Sequence, residues 1–257
     1  MPHHIITSNK GLLAIVIKKY AVFDIDGTLI RWQLFHATAD ELARHGYMPK
    51  ATFEKARIAR LAWKKRTQDD SFSNYEYELV TAYNQAIVDL PVKEFKTAID
   101  SVFNKYKDQV YIYTRDLIRQ LKAKNYILFA LSGSQDEIVK MFADYYGFDA
   151  AAGSTFEQFN DKFTGIRHIL NYEQKTIILE ELIQRFGVSR KDSIAIGDSE
   201  GDIEILRMAE HPVAFNPTRK LFDYAYQHGW EIIVERKNMI YKLSPKDGRY
   251  MLTPTAH

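Results

Sequence analysis

Short apolar runs that alternate with stretches of helical periodicity restrict the fold of this chain more than any other feature. Val22–Asp24, Ile127–Leu131, Ser193–Ile196, Val213–Phe215 and Ile232–Val234 read as buried strands. Thr114–Lys124, Asp136–Tyr146, Gln174–Phe186 and Ile203–Ala209 read as the helices between them. Strand–helix alternation of this kind argues for an α/β protein with a parallel sheet covered on both faces. One region breaks the rhythm. From about Gln33 to Val110 the pattern is helical only, as in Phe95, Ile99, Val102, Phe103 and Tyr106 after Pro91. The expectation is a discontinuous core, residues 1–32 and 111–257, with residues 33–110 inserted as a helical domain.

Composition narrows the function classes. With 257 residues, 46% hydrophobic and 26% charged, the chain is an ordinary globular protein able to bury a sizeable core. A formal net charge of +2 does not point to nucleic acid or to stable membrane association. There is no cysteine, hence no disulfide and no thiolate chemistry. The apolar run Leu12–Ile17 is too short to span a membrane and no small-residue cleavage site follows it, so the expected location is the cytoplasm, with the order and role of residues 1–18, a loose leader among the readings, left open. The C-terminal stretch 245–257 has turn-forming residues without periodicity and is expected to be weakly structured. His3, His4, His36, His45 and His168 show no ligand spacing and receive no role. Nothing in the sequence encodes an oligomeric state.

The chemistry is concentrated at strand ends, where an open parallel sheet binds its ligands. "YAVFDIDGTLI" (20–30) drives a buried strand into Asp24 and Asp26, and Gly27 lets the chain turn. Two such carboxylates suit a nucleophile and a general acid/base when a hard dication offsets their repulsion. The same residues also suit a polar strand end closing in an Asp-Gly turn. "FALSGSQ" sets Ser132, Gly133 and Ser134 after the second strand, as an anion site or as an ordinary helix cap. Lys175 opens a helix, against the helix dipole. "SIAIGDSEGDIEIL" repeats the first pattern, with Asp198 at a strand end and Asp202 four residues on, to cap a helix or support a ligand shell.

Taken in that order, D-x-D-G-T, Ser, Lys and G-D-x-x-x-D resemble the four motifs of the haloacid dehalogenase superfamily of phosphohydrolases, over Tyr20 to about Val234. The long insert between the first two motifs resembles subfamily IB, the phosphoserine-phosphatase-like group with a helical cap. The resemblance implies a Rossmann-like core and a Mg²⁺-dependent phosphomonoester hydrolase that acts on a small-molecule phosphate ester. It implies Asp24 as nucleophile and Asp26 as acid/base. Mg²⁺ would bind Asp24, Asp198 and the backbone carbonyl of Asp26, with Asp202 orienting the metal shell. Thr28, Ser132, Gly133 and Lys175 would form the phosphate-binding set, Thr28 by fixing the turn. The cap would open about hinges near Arg31–Gln33 and Val110–Thr114.

Departures from the family bear on the substrate. The glutamate that meets the amino group in phosphoserine phosphatases falls on Gln33 here, and "SNYEYELVTAYNQAIVDL" offers no arginine for a carboxylate. A substrate other than phosphoserine is therefore expected. Trp32, Gln33 and Phe35 follow the first motif and are candidates for the substrate entrance, although aromatics there also serve as hinge packing. "FEKARIARLAWKKRTQ" is a basic, partly amphipathic helix, with Lys55, Arg57, Arg60, Lys64, Lys65 and Arg66 around Phe53, Leu61 and Trp63, and is read first as a solvated face. A phosphoaccepting signalling module would need neither Asp26 nor a cap. A phosphotransferase and a catalytically silent phosphate-binding protein remain the alternatives on the same fold.

Overall fold

The computed structural model describes residues 6–7, 13–14, 18–65, 71–246 and 249–253. Most of residues 1–18, His3 and His4 among them, and Arg66 lie outside them. A short antiparallel pair, β1 (Ile6–Thr7) and β2 (Leu13–Ala14), precedes the main sheet. That sheet has nine strands in the order β11-β10-β9-β8-β7-β3-β4-β5-β6. Its centre is β3 (Lys19–Phe23), parallel to β4 (Ile127–Gln135) on one side and to β7 (Ser189–Gly197) on the other. β5 (Ala150–Phe159), β8 (His211–Phe215) and β9 (Glu231–Arg236) extend it in parallel. The intervening helices are α5 (Ile112–Ala123), α6 (Asp136–Tyr146), α7 (Tyr172–Phe186), α8 (Ile203–Arg207) and α9 (Arg219–His228).

β3 is apolar without a break because both of its faces are covered. Tyr20 and Val22 join Phe129, Leu131, Ala195, Leu179 and Leu221 in one cluster, while Ala21 and Phe23 join Leu128, Ala130, Ile196 and Phe142 in another. The side-chain period of two sorts them. The second cluster does not stop at the sheet. It continues into α1 (Leu34–Arg44), α2 (Lys50–Lys65), α3 (Ser71–Ile87) and α4 (Val92–Tyr106), through Leu34, Leu42, Tyr75, Leu79, Phe95 and Ile99. Among the described residues no helix is long and apolar enough to cross a membrane.

Two hairpins escape the sequence pattern. Residues 245–257, expected to be weakly structured, include the end of β10 (Met239–Lys246) and all of β11 (Arg249–Thr253), which extend the sheet in antiparallel fashion beyond β9. β5 likewise turns back into β6 (Lys162–His168). Both reversals run through residues with positive φ, Lys237 at 56° in one and Asn160 and Asp161 at 49° and 59° in the other. Neither of these two turns uses glycine, whereas the sequence between β10 and β11 is Asp247-Gly248, which does signal a hairpin. The helix expected over Ile203–Ala209 is shorter, ending at Arg207, and is preceded by a 3-10 turn over Glu200–Asp202.

The four-helix insertion is fastened at two places. Where the chain leaves and re-enters the core, Arg31 N donates to Gln109 O at 3.1 Å and Tyr111 N to Leu29 O at 2.9 Å. Arg31 also reaches Val110 O and the buried carboxylate of Glu235 on β9. Glu235 in turn accepts from Ile112 N at 3.1 Å and Tyr113 N at 2.8 Å. Those N–H groups open α5, whose own N-cap, Tyr111, has no side-chain cap bond, so a carboxylate from the sheet satisfies them. At the far side, the turn between α3 and α4 bonds to the β5–β6 hairpin: Asp89 N to Phe163 O at 3.0 Å, Phe163 N to Leu90 O at 3.1 Å and Val92 N to Asp161 O at 2.9 Å. Swinging all four helices about the two expected hinges would break this second fastening.

Glu235→Ala removes the Arg31 partner and both α5 contacts together. We expect it to cost about 2–3 kcal/mol, read as a lowered urea midpoint with an unchanged slope. A midpoint within error of wild type would show that the linkers hold without it.

Candidate active site

Asp24 follows the last residue of β3, and its N–H is held by Ile196 O of β7 at 2.9 Å. The residue is 4% exposed. Lys175, 6% exposed, lies in the first turns of α7 and places its Nζ 2.8 Å from Asp24 Oδ1 and 2.8 Å from Asp202 Oδ1. Asn171 caps that helix, accepting from Gln174 N at 3.0 Å, which fixes where Lys175 starts. Asp202 is wholly buried. Its Oδ2 accepts from Asp198 N and Ser199 N at 3.2 Å and from Ser199 Oγ at 3.1 Å. Asp202 thus closes a capping box over the turn that presents Asp198.

Carboxylate oxygens of Asp24, Asp198 and Asp202 lie within 4.8 Å of one another. Two glycines make room for them. A Cβ on Gly27, which has φ +78°, would fall 2.1 Å from Asp198 Oδ2, and one on Gly197 would fall 2.5 Å from Asp202 Cβ. Three carboxylates face one ammonium, so the cluster carries uncompensated negative charge in a buried place. The donor set, oxygen only, is that of a hard dication such as Mg²⁺. Both Asp202 oxygens are already engaged, which leaves Asp24 and Asp198 as the carboxylates free to ligate.

Asp26 turns the other way. Its Oδ1 accepts from Leu34 N at 2.5 Å and its Oδ2 from Ser132 Oγ at 2.5 Å. Ser134 Oγ accepts from Phe35 N at 3.0 Å. The first N–H groups of α1 are therefore capped from the core, whereas Gln33 at its N-cap makes no side-chain cap bond. Ser132 Oγ also accepts from Ser134 N at 2.9 Å, and Gly133 O accepts from Ser154 Oγ at 2.7 Å.

A cleft of about 590 Å³ opens over these groups, lined by Asp24, Asp26, Gly133, Ser134, Lys175 and Asp198 at its floor. Gln33 and Phe35, two of the three entrance candidates, line its wall. Trp32 does not line it; it packs edge-on to His36 and under the Arg60 guanidinium. Thr28 is buried and stays in the turn, its carbonyl accepting from Thr114 Oγ1 at 3.0 Å, with no place in the cleft lining. On the basic helix α2, Arg57 pairs with Glu54 and Arg60 with Asp40, while Lys55, Lys64 and Lys65 are exposed.

Sequence reasoning missed His36, Phe72, Glu76, Asn84, Gln135 and Arg167, all of which line the cleft. Only Gln135 carried a local signal, since it follows the Ser-Gly-Ser turn at the end of β4. Arg167 comes from β6, an element not expected at all, and its guanidinium donates to Asn84 on α3.

Electrostatics follow from burial. Burial, then the Asp202 charge, pushes Asp24 above the ordinary carboxylate range against the pull of Lys175. Burial, then Asp24 and Asp202, pushes Asp198 up as well. Asp26 is raised by burial and pulled part of the way back by Ser132 and the Leu34 N–H. Burial works against the charge of Lys175, but Asp202 and Asp24 outweigh it and hold the ammonium protonated. Glu76 is raised by burial and then by Glu200.

The strand-end carboxylates, their lysine and the enclosing helices define a class. A profile of the haloacid dehalogenase-like hydrolases matches residues 21–207, and the chain belongs to that family. It is 26% identical over 200 residues to the phosphoserine phosphatase of Methanocaldococcus jannaschii, covering 77% of this chain and 85% of the relative. It is 25% identical over 210 residues to that of Archaeoglobus fulgidus, covering 81% of this chain but 55% of the relative, so it spans little more than half of that protein. A solved phosphoserine phosphatase holding a phospho-aspartyl intermediate analogue shares the fold, with a TM-score of 0.61 at 22% identity over 86% of this chain and 95% of the other.

The raised carboxylates give a stability test. The folded, metal-free protein holds protons more tightly than the unfolded chain, so its stability falls as pH climbs from the ordinary carboxylate range through the raised values. We expect Asp198→Asn in excess chelator to raise stability by about 1–2 kcal/mol, more at about pH 8 than at about pH 5. A lower thermal midpoint than wild type at both would contradict the charge imbalance.

Proposed function

We propose that this chain is a Mg²⁺-dependent phosphomonoester hydrolase that works through an aspartyl-phosphate on a small phosphorylated metabolite other than phosphoserine. The observation that carries the reading is Asp24 at the end of the central strand, with one oxygen held by Lys175 and the other left for phosphorus. In-line attack by that oxygen breaks the ester bond, and Asp26 gives its proton to the departing alcohol. Its raised pKa suits a carboxyl that must begin protonated. Asp26, now a carboxylate, takes a proton from water as water attacks the phosphoryl group on Asp24, which regenerates both side chains. Ser132 and the Gly133 N–H hold the phosphoryl oxygens, and Lys175 offsets the charge shared by phosphate and nucleophile. Asp24, Asp198 and the Asp26 carbonyl would hold Mg²⁺, which supplies charge neutralisation at the transferring group. Residues 33–110 would act as the cap over a core made of 1–32 and 111–257.

One feature argues against phosphoserine: Gln33 lines the cleft where the family's phosphoserine enzymes carry a glutamate.

Phosphate release from a panel of esters tests the reading. Activity should require Mg²⁺ and vanish with chelator. Asp24→Asn should lower kcat by about 10³-fold or more, and Asp26→Asn by about 10²–10⁴-fold. Release that survives Asp24→Asn would rule out the proposed nucleophile.

A further inference from the structure

The basic helix α2 takes no part in the cleft, since none of its residues lines it. Its inner face is settled. Ala56 and Ala59 are buried, and Trp63 stacks on Tyr75 of α3 with ring centroids 5.7 Å apart and meets Phe72 at 5.1 Å. Arg60, on the same side, pairs with Asp40 at 2.8 Å and lies over the rings of Trp32 and Tyr75. Helix periodicity turns the remaining residues outward. Ala51, Ile58, Leu61 and Ala62 fall along one exposed stripe, with Ile58 58% and Leu61 48% exposed. Lysines border it on both sides, Lys50 and Lys64 on one and Lys55 on the other, and Lys65 continues it.

The charge of this helix is uncompensated. α2 carries six lysines and arginines against one glutamate, in a chain whose total formal charge is +2, so the near-neutral total conceals a basic patch. Glu54 is answered by Arg57. Lys50, Lys55, Lys64 and Lys65 are exposed and make no ion pair with any described residue. A nucleic-acid backbone would use such lysines but has no use for the aliphatic stripe between them. A bilayer surface that contains anionic lipid uses both. Headgroup phosphates meet the ammonium groups, the lysine stems lie along the apolar boundary, and Ile58 and Leu61 enter it. We propose that the outer face of α2 is a docking surface for an anionic lipid bilayer, bound peripherally and reversibly. The inner face of the same helix packs through Trp63 on Phe72, whose ring lines the cleft, so a docked α2 stands one side chain away from the cleft wall.

The test is sedimentation of the full chain with vesicles of phosphatidylcholine, alone or with about one third phosphatidylglycerol. It needs no turnover, so its outcome is independent of the phosphatase reading. Binding should appear with the anionic vesicles, be absent with the neutral ones, and fall steeply between about 0.05 M and about 0.5 M salt. Lys64→Gln with Lys65→Gln should lower the partition coefficient about 30-fold, as two charges at such a surface require. Ile58→Ser with Leu61→Ser should lower it about tenfold. All four side chains are exposed, so the thermal midpoints of both variants should match wild type. The same charge change at Lys93 and Lys96, exposed on α4, should leave the partition coefficient within about twofold of wild type. An equal loss there, or binding indifferent to the Ile58 and Leu61 pair, would reduce the effect to diffuse charge attraction and overturn the proposal. No binding to anionic vesicles at low salt would overturn it as well. Retention by duplex DNA in place of vesicles, unchanged in the Ile58 and Leu61 variant, would assign the face to nucleic acid instead.

Discussion

Everything at the carboxyl edge of the sheet answers to one contact, the Lys175 ammonium buried between Asp24 and Asp202. An ion cluster removed from water survives only if its remaining lone pairs and protons are satisfied. Asp202 meets that demand by spending its second oxygen on the backbone and hydroxyl of the turn that carries Asp198. The same demand explains the glycines at 27 and 197, since any side chain there would collide with a carboxylate. It also explains why a lysine opens α7, where the helix dipole disfavours it. The loss is offset by two carboxylates close at hand. Lys175 does not relieve the whole cluster, and the surplus negative charge is what makes the place suited to a dication.

Asp26 links this cluster to the inserted helices. It accepts the first N–H of α1 while it accepts Ser132, so the group proposed to move a proton also caps the helix that leads into the insertion. Motion of α1 would strip a hydrogen bond from Asp26 and shift its affinity for protons. The fastening of the α3–α4 turn to the β5–β6 hairpin opposes such motion. α1 and α4 pack on each other and on the core, whereas α2 and α3 pack chiefly on one another. α3, which carries Phe72, Glu76 and Asn84 along the cleft, is itself tied to the core through Tyr83 and Asn84. The two core linkers, where hinges are expected, are bonded to each other and to Glu235.

How much of this was legible follows from how local each feature is. The parallel strands announced themselves because burial on both faces makes them continuously apolar, and the chemistry stood at their ends within a few residues of each run. Asp24, Asp26, Ser132, Lys175, Asp198 and Asp202 could all be named from such stretches. The β5–β6 and β9–β10 turns were hidden because they use Asn160, Asp161 and Lys237 in a backbone region where glycine is the usual signal, whereas the Asp247-Gly248 pair before β11 was a hairpin signal left unread. Trp32 became an entrance candidate by adjacency in sequence, yet it packs on His36 and Arg60 away from the cleft lining. Nor could periodicity say which face of α3 would meet Arg167 from an unforeseen strand.

That division has a physical origin. Chemistry at phosphorus needs charges held within hydrogen-bond distance, and short strand–turn–helix segments can set such distances by themselves. The wall of the cleft is instead assembled from α1, α3, β4 and the β5–β6 hairpin, elements distant in sequence that meet only through tertiary packing. Gln135 stands at the boundary between the two. It ends the strand that presents Ser132, and its amide is oriented by Tyr83 on α3. A change in the packing of α3 therefore reaches the wall of the cleft through one side chain while Asp24, Lys175 and Asp202 stay fixed to the sheet. Such a fold can alter what it accepts without disturbing how it reacts.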